Sequence, residues 1–257
     1  MLEHELQPLE ETGKENENIE ELEDIDKLTY EEMIEVISNM KNGKVPGIDN
    51  ITVELIKNGG PELLQRIFKL LMQIWDQERM PEEWGIGIIC PIFKKGDRKE
   101  CSNYRGINLL NSIYKIFTCL IYNRLAKHSE LTLDEYQEGF RSSRSTIDQI
   151  HVVRQILEKC YEFGIELHNI FINFKQAFDK VNTLKLYESY MLKISTKLIR
   201  LVKTTLSNSR AVVEVYQGRT HVFNINNGLR RRRIDNSIQF GVGSSIIKNR
   251  SKRKYQY

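Results

Sequence analysis

The stretch "NIFINFKQAFDKV", Asn169 to Val181, is an apolar run that ends in an aromatic and a carboxylate. Read as a strand, it puts residues 172 and 174 on one face and residue 173 on the other. Ile172 and Phe174 can then face a core while position 173 lies on the opposite face, where a carboxylate could be aimed at a metal. The residue there is Asn173, a neutral amide. An amide oxygen ligates a cation weakly and supplies none of the negative charge that divalent ions in a small space require. Asp179 follows only past an expected turn. Four cysteines, Cys90, Cys101, Cys119 and Cys160, offer no alternative metal chemistry: no two stand at C-x-x-C spacing and no His cluster lies beside them. They read as reduced structural thiols of a cytosolic or nuclear protein.

Elements must hold such residues in place, and the chain supplies them in mixed order. Thr29 followed by Glu32 is a capping box, after which Met33, Ile34, Ile37 and Met40 fall on one helical face, with an end expected near Gly43. "GKVPGIDNITVELIK" reads as a tight loop into a second short helix. In "GGPELLQRIFKLLMQIWDQERMPEEW" the spacing of Leu63, Leu64, Ile67, Leu71, Ile74 and Trp75 predicts an amphipathic helix, with Pro61 just inside its start. "IGIICPIFKKGD" predicts a buried strand broken at Gly96 and Asp97. Helices are expected over "NSIYKIFTCLIYNRLAKHSE", over "STIDQIHVVRQILEKCYEF" with Ser143 or Ser145 as cap, over "TLKLYESYML" and over "TKLIRLVKTTLSN". A strand is expected over Leu167–Phe174, and "AVVEVYQ" with "THVFNIN" alternates like a hairpin around Gly218. The order is α+β, without the regular alternation of a doubly wound sheet.

With 257 residues and 40% apolar content, the chain can bury a sizeable core. Its formal charge of +3 is unevenly spread. Residues 1–27 are acidic and lack apolar periodicity, which predicts a disordered lead-in; residues 231–257 carry Arg and Lys runs without a period of 2 or 3.6. "KNRSKRK" in that tail has the composition of a nuclear-localisation or nucleic-acid patch. The N-terminus is acidic, unlike a signal peptide, and no window approaches the roughly 18 to 20 apolar residues that cross a bilayer. An intracellular protein, nuclear or cytoplasmic, with no membrane association is expected, and nothing in the sequence sets an oligomeric state.

Several segments, in order, are "NGKVPGIDNITVELIK", "MPEEWGIGIICPIFKKGDRKECSNYRGINLLNSIYKIF", "YQEGFRSSRSTIDQI", "FINFKQAFDKV" and "FNINNGLR". Together they resemble the reverse transcriptase domain of non-LTR (LINE-type) retrotransposons, over roughly Tyr30 to Arg230. The resemblance implies a right-hand polymerase: a fingers-like region over 28–165, a partial palm over 166–230, and template-primer partners of RNA or RNA/DNA. It implies phosphoryl transfer with paired Mg²⁺ ions about 4 Å apart. By the same resemblance position 173 is that of the family's first metal-binding Asp, and Phe178 that of the aromatic under the nucleotide sugar. Lys94, Lys95 and Arg105 match positions that hold the triphosphate, and Gln137, Gly139, Arg141 and Arg144 belong to a motif that can contact the template backbone.

The family pattern continues past Arg230 with a Gln-Gly-Asp turn, an apolar helix and a hairpin bearing an Asp pair; this sequence has none of them. One codon assignment for Arg231 to Ser245, read one base later, gives GDALTTLFNLVLEA, which resembles that continuation. The basic tail is therefore expected to be an out-of-frame product. The expectation for function is a retrotransposon polymerase fragment that is catalytically inactive and holds no cofactor of its own, the alternative being a non-catalytic nucleic-acid-binding protein that keeps fingers and tail.

Overall fold

A computed structural model describes residues 25–130, 135–139, 141, 143–172, 194–216 and 218–225. The first helix, α1 (Tyr30–Asn39), starts at the expected capping box: the Glu32 amide donates to Thr29 Oγ1 at 3.2 Å and the Thr29 amide to Glu32 Oε2 at 3.0 Å. The helix stops a turn short of Gly43, and a loop leads to α2 (Val53–Lys57). That loop is fastened where Glu54 accepts from the Gly43 amide, a bond that holds the carboxyl below its ordinary value. It is fastened again where Ser112 Oγ donates to the Ile51 carbonyl at 2.5 Å. Gly47 sits against the start of the fourth helix so closely that a Cβ would lie 2.3 Å from Asn111 Oδ1, which is why the loop needs glycine at that point.

Helix α3 (Gly60–Gln77) and helix α4 (Ser112–Glu130) carry the core, with α1 and α6 (Thr196–Leu206) packed against them. On α3 the expected face is buried through Ile67, Leu71, Ile74 and Trp75, while Leu63 at its edge stays exposed. From α4 come Tyr114, Ile116, Phe117, Leu120, Ile121 and Leu125, and from α6 Leu198, Leu201 and Val202. Each such side chain contributes about 1.5–3 kcal/mol by leaving water. Polar ties fix the helices' registry: Tyr114 Oη donates to the Thr205 carbonyl at 3.1 Å, and Arg124 pairs with Glu32 at 2.8 Å. At the rim Arg200 grips Glu78 through two bonds of 2.7 and 3.0 Å, which raises the guanidinium pKa further.

Beside the helices lies one mixed sheet in the order β2-β1-β3-β4, with β5 also on β3. Its strands are β1 (Ile86–Phe93), β2 (Tyr104–Leu109), β3 (Arg210–Val215), β4 (Gly218–Arg219) and β5 (Phe223–Asn224). β1 and β2 form an antiparallel hairpin pairing Ile88 with Leu109 and Phe93 with Tyr104; β1 and β3 run parallel, Ile88 beside Val212. Parallel neighbours need a long crossover, and everything from β2 through α6 supplies it. Segment 194–225, read from sequence as part of a partial palm, thus shares core and sheet with the residues before it.

Helix α5 (Thr146–Glu162) is capped by Ser145, one of the two expected caps, and Asp148 completes a capping box that was not expected, but none of its residues is buried. The strand expected over Leu167–Phe174 is absent from its described part. Residues 165–172 form no ladder, and Ile170, Phe171 and Ile172 are 85%, 86% and 76% exposed rather than facing a core. A strand exists only through hydrogen bonds to a neighbour, and among the described residues none pairs with this segment. Asn173, Phe178 and the helix expected over "TLKLYESYML" lie outside the described residues, as does the tail.

Candidate functional site

The β1–β2 hairpin positions the cations. Pairing of Ile92 with Arg105, and of the Lys94 amide with the Asn103 carbonyl at 2.9 Å, places Lys94, Ile92 and Arg105 on one face by strand alternation. Lys95 is exposed in the turn that follows. Lys94, Lys95 and Arg105 are all exposed, and among the described residues none has an acidic partner or a side-chain hydrogen bond.

The turn joining the strands is well braced. Asn103 Nδ2 donates to the Asp97 carbonyl at 2.8 Å, the Lys99 amide to Asp97 Oδ1 at 2.9 Å, and Tyr104 Oη to the Arg98 carbonyl at 2.9 Å. On the face away from Lys94, Phe93 and Tyr104 meet edge to face at 5.5 Å, with the Arg98 guanidinium 5.1 Å over the Phe93 ring. Gly96, at φ +94, turns the chain and leaves room for Asn103. The cations therefore project from a hairpin whose turn is braced.

The same face continues across the sheet. Cys90 lies opposite Ile107, and Val212 beside Ile88 brings Glu214 alongside Cys90. Glu214 pairs with Arg219 across β4 at 3.3 Å. Burial pushes the Cys90 thiol up, Glu214 adds to that shift, and Arg219 opposes it. Ile92 and Ile107 stay 49% and 42% exposed, an apolar strip beside the cations. A guanidinium fork and an ammonium beside such a strip can hold phosphate oxygens while the strip takes a sugar or base.

A second cluster precedes α5. Arg141 Nη1 donates to the Gln137 carbonyl at 3.3 Å, and Gln137 Nε2 to the Gly139 carbonyl at 3.5 Å. Arg144 pairs with the buried Glu138 at 3.3 Å, so part of its charge is already answered within the chain. Among the described residues, no three of His, Cys, Asp and Glu converge as metal ligands. No described helix is long and apolar enough to cross a membrane.

The sequence names Lys94 and Arg105 as candidates but did not reveal the β2 strand that brings them together. Its signal was present, since "YRGINL" follows a Gly-Asp turn directly after an apolar strand. Arg219 and Glu214 had no such signal, because their place beside Cys90 depends on a parallel pairing far along the chain.

A mixed sheet backed by a helical core thus presents exposed cations from one hairpin. Comparison with known proteins places the chain: residues 92–247, more than half the chain, match the reverse transcriptase (RNA-dependent DNA polymerase) family, and the chain belongs to that family. It is similar to the probable RNA-directed DNA polymerase from transposon X-element of Drosophila melanogaster, at 30% identity over 205 residues, covering 77% of this chain and 22% of the relative. It is similar also to the RNA-directed DNA polymerase from mobile element jockey of Drosophila funebris, at 30% identity over 186 residues, covering 70% and 20%. A third relative is the probable RNA-directed DNA polymerase from transposon BS of Drosophila melanogaster, at 30% over 160 residues, covering 60% and 17%. The chain spans about a fifth of the length of these curated relatives. The family match runs on past Arg230 into the basic stretch, ending at residue 247.

Proposed function

We propose that this chain is a fragment, fingers plus partial palm, of a non-LTR retrotransposon reverse transcriptase that binds nucleic acid and nucleotide phosphate without polymerising. The observation that supports binding is the shared face of Lys94 and Arg105, two cations unpaired within the described residues and held on a braced hairpin. The donor chemistry of the sequence argues against catalysis. Position 173, where the resemblance implies an Asp, offers a neutral amide, and the 257 residues contain no adjacent Asp pair. Mg²⁺ takes hard, anionic oxygens. The residues of this polypeptide do not fit a paired Mg²⁺ site. Phe178 and Lys95 are assigned to the nucleotide, and Gln137, Gly139, Arg141 and Arg144 to the template backbone. Arg144 must exchange Glu138 for phosphate to act there.

Primer extension on an RNA template with Mg²⁺ tests the catalytic half. No extension is expected from the chain or from Asn173→Asp, since that change restores one anion and leaves the adjacent pair missing; extension by either overturns the reading. RNA titration at several salt concentrations tests the binding half. Losing both cations in Lys94→Gln with Arg105→Gln is expected to lower affinity and to flatten the salt slope by roughly 1.4, about 0.7 for each lost phosphate contact. Salt-independent binding would refute it. The coding DNA around codon 230 tests the out-of-frame origin assigned to residues 231–257, which requires codons compatible with the shifted reading.

A further inference from the structure

A cavity of about 840 Å³ opens where the C-terminal ends of α3 and α6 meet the start of β3. Arg79, Lys203 and Arg210 line it, against two carboxylates. One of these, Glu78, is already gripped by both Nε and Nη2 of Arg200. Arg79 and Lys203 are exposed and have neither an ion-pair partner nor a side-chain hydrogen bond among the described residues. Arg210 gives Nη2 to the Glu82 carbonyl at 2.9 Å, while its Nε is buried with no acceptor. Three cations around a concave wall, with Glu82 the one carboxylate not already committed, create a positive potential that an anion relieves.

We propose that this cavity binds phosphate, and that the phosphate belongs to a polynucleotide backbone. The source follows from the sheet. Ile86 at the start of β1 pairs with Arg210 at the cavity, and β1 runs from there to Lys94. Eight residues at about 3.3 Å each separate the two cationic sites by on the order of 25 Å. One nucleotide cannot bridge that span, whereas a strand of several can, gaining phosphate contacts at both ends. The polynucleotide assignment rests on the proposed nucleic-acid binding; the phosphate chemistry of the cavity does not.

The test uses the full chain and two exposed substitutions, Arg79→Gln with Lys203→Gln, which leave the core untouched. RNA affinity is expected to fall and its salt slope to flatten by roughly 0.7 per lost contact, in addition to the effect of the Lys94 and Arg105 changes. If those latter changes weaken binding but the cavity pair alters neither affinity nor slope, this inference fails and the proposed function stands. Independently, acylation of Lys203 is followed by peptide mapping with inorganic phosphate or with single-stranded polyuridylate. Protection by polyuridylate at lower phosphate-equivalent concentration than inorganic phosphate is expected. Protection by inorganic phosphate alone overturns the backbone assignment, and protection by neither overturns the site.

Discussion

Helices α4 and α5 are nearly equal in length, each carries a recurring apolar face, and they meet opposite fates. α4 buries Tyr114, Ile116, Phe117, Leu120, Ile121 and Leu125 against α1, α3 and α6. α5 buries nothing: Ile147, Ile150, Val152, Ile156 and Leu157 remain 46% to 71% exposed. Periodicity says that a helix has a face to cover, and packing decides whether covering it stabilises anything. Local interactions do not separate the two regions, because α5 has a complete capping box and ion pairs such as Arg154 with Glu158 at 2.9 Å. Among the described residues the difference lies in tertiary contact.

The strongest way to break this comparison is to remove a core aromatic. Phe117 is 0% exposed, so Phe117→Ala removes its transfer energy and leaves a cavity, a cost of about 3–5 kcal/mol. A denaturant midpoint lowered accordingly is expected. A loss near zero would show that α4 is no better packed than α5.

A smaller effect sharpens the contrast, because both regions carry the same cap chemistry. Thr29→Ala removes the cap of α1, which is packed, and is expected to cost about 1 kcal/mol of global stability. Ser145→Ala removes the equivalent cap of α5. Its expected result is faster amide exchange in the first turn of α5 with the global midpoint unchanged, since an opening confined to α5 exposes no core. Equal effects on the midpoint would contradict the division between the two regions.

The same distinction sets what could be read from the sequence. The capping box at Thr29, the apolar face of α3, the turn at Gly96 and the hairpin around Gly218 each follow from residues close in the chain, and the structure has them. The strand expected over Leu167–Phe174 did not form in its described part, residues 167–172, because an apolar run names no partner. The pairing of β1 with β3 joins Ile88 to Val212 across more than a hundred residues, so the place of Glu214 beside Cys90 was not legible. Within the candidate site Lys94 and Arg105 could be named, but their common face depended on β2. Arg79, Lys203 and Arg210 meet only once α3, α6 and β3 are assembled.

The smallest expected effect is the most exacting. Ile150 is 66% exposed in the middle of α5, so Ile150→Ala removes few contacts and replaces a β-branched residue by the best helix former. The lost transfer energy and the gained propensity oppose each other, and the net change is expected within about 0.5 kcal/mol. Because the contribution of a side chain follows what surrounds it, an isoleucine here and a phenylalanine on α4 should differ several-fold for that reason above all. A cost for Ile150→Ala approaching that of Phe117→Ala would mean that the α5 face is packed in solution. That result would place the helix inside the cooperative unit rather than beside it.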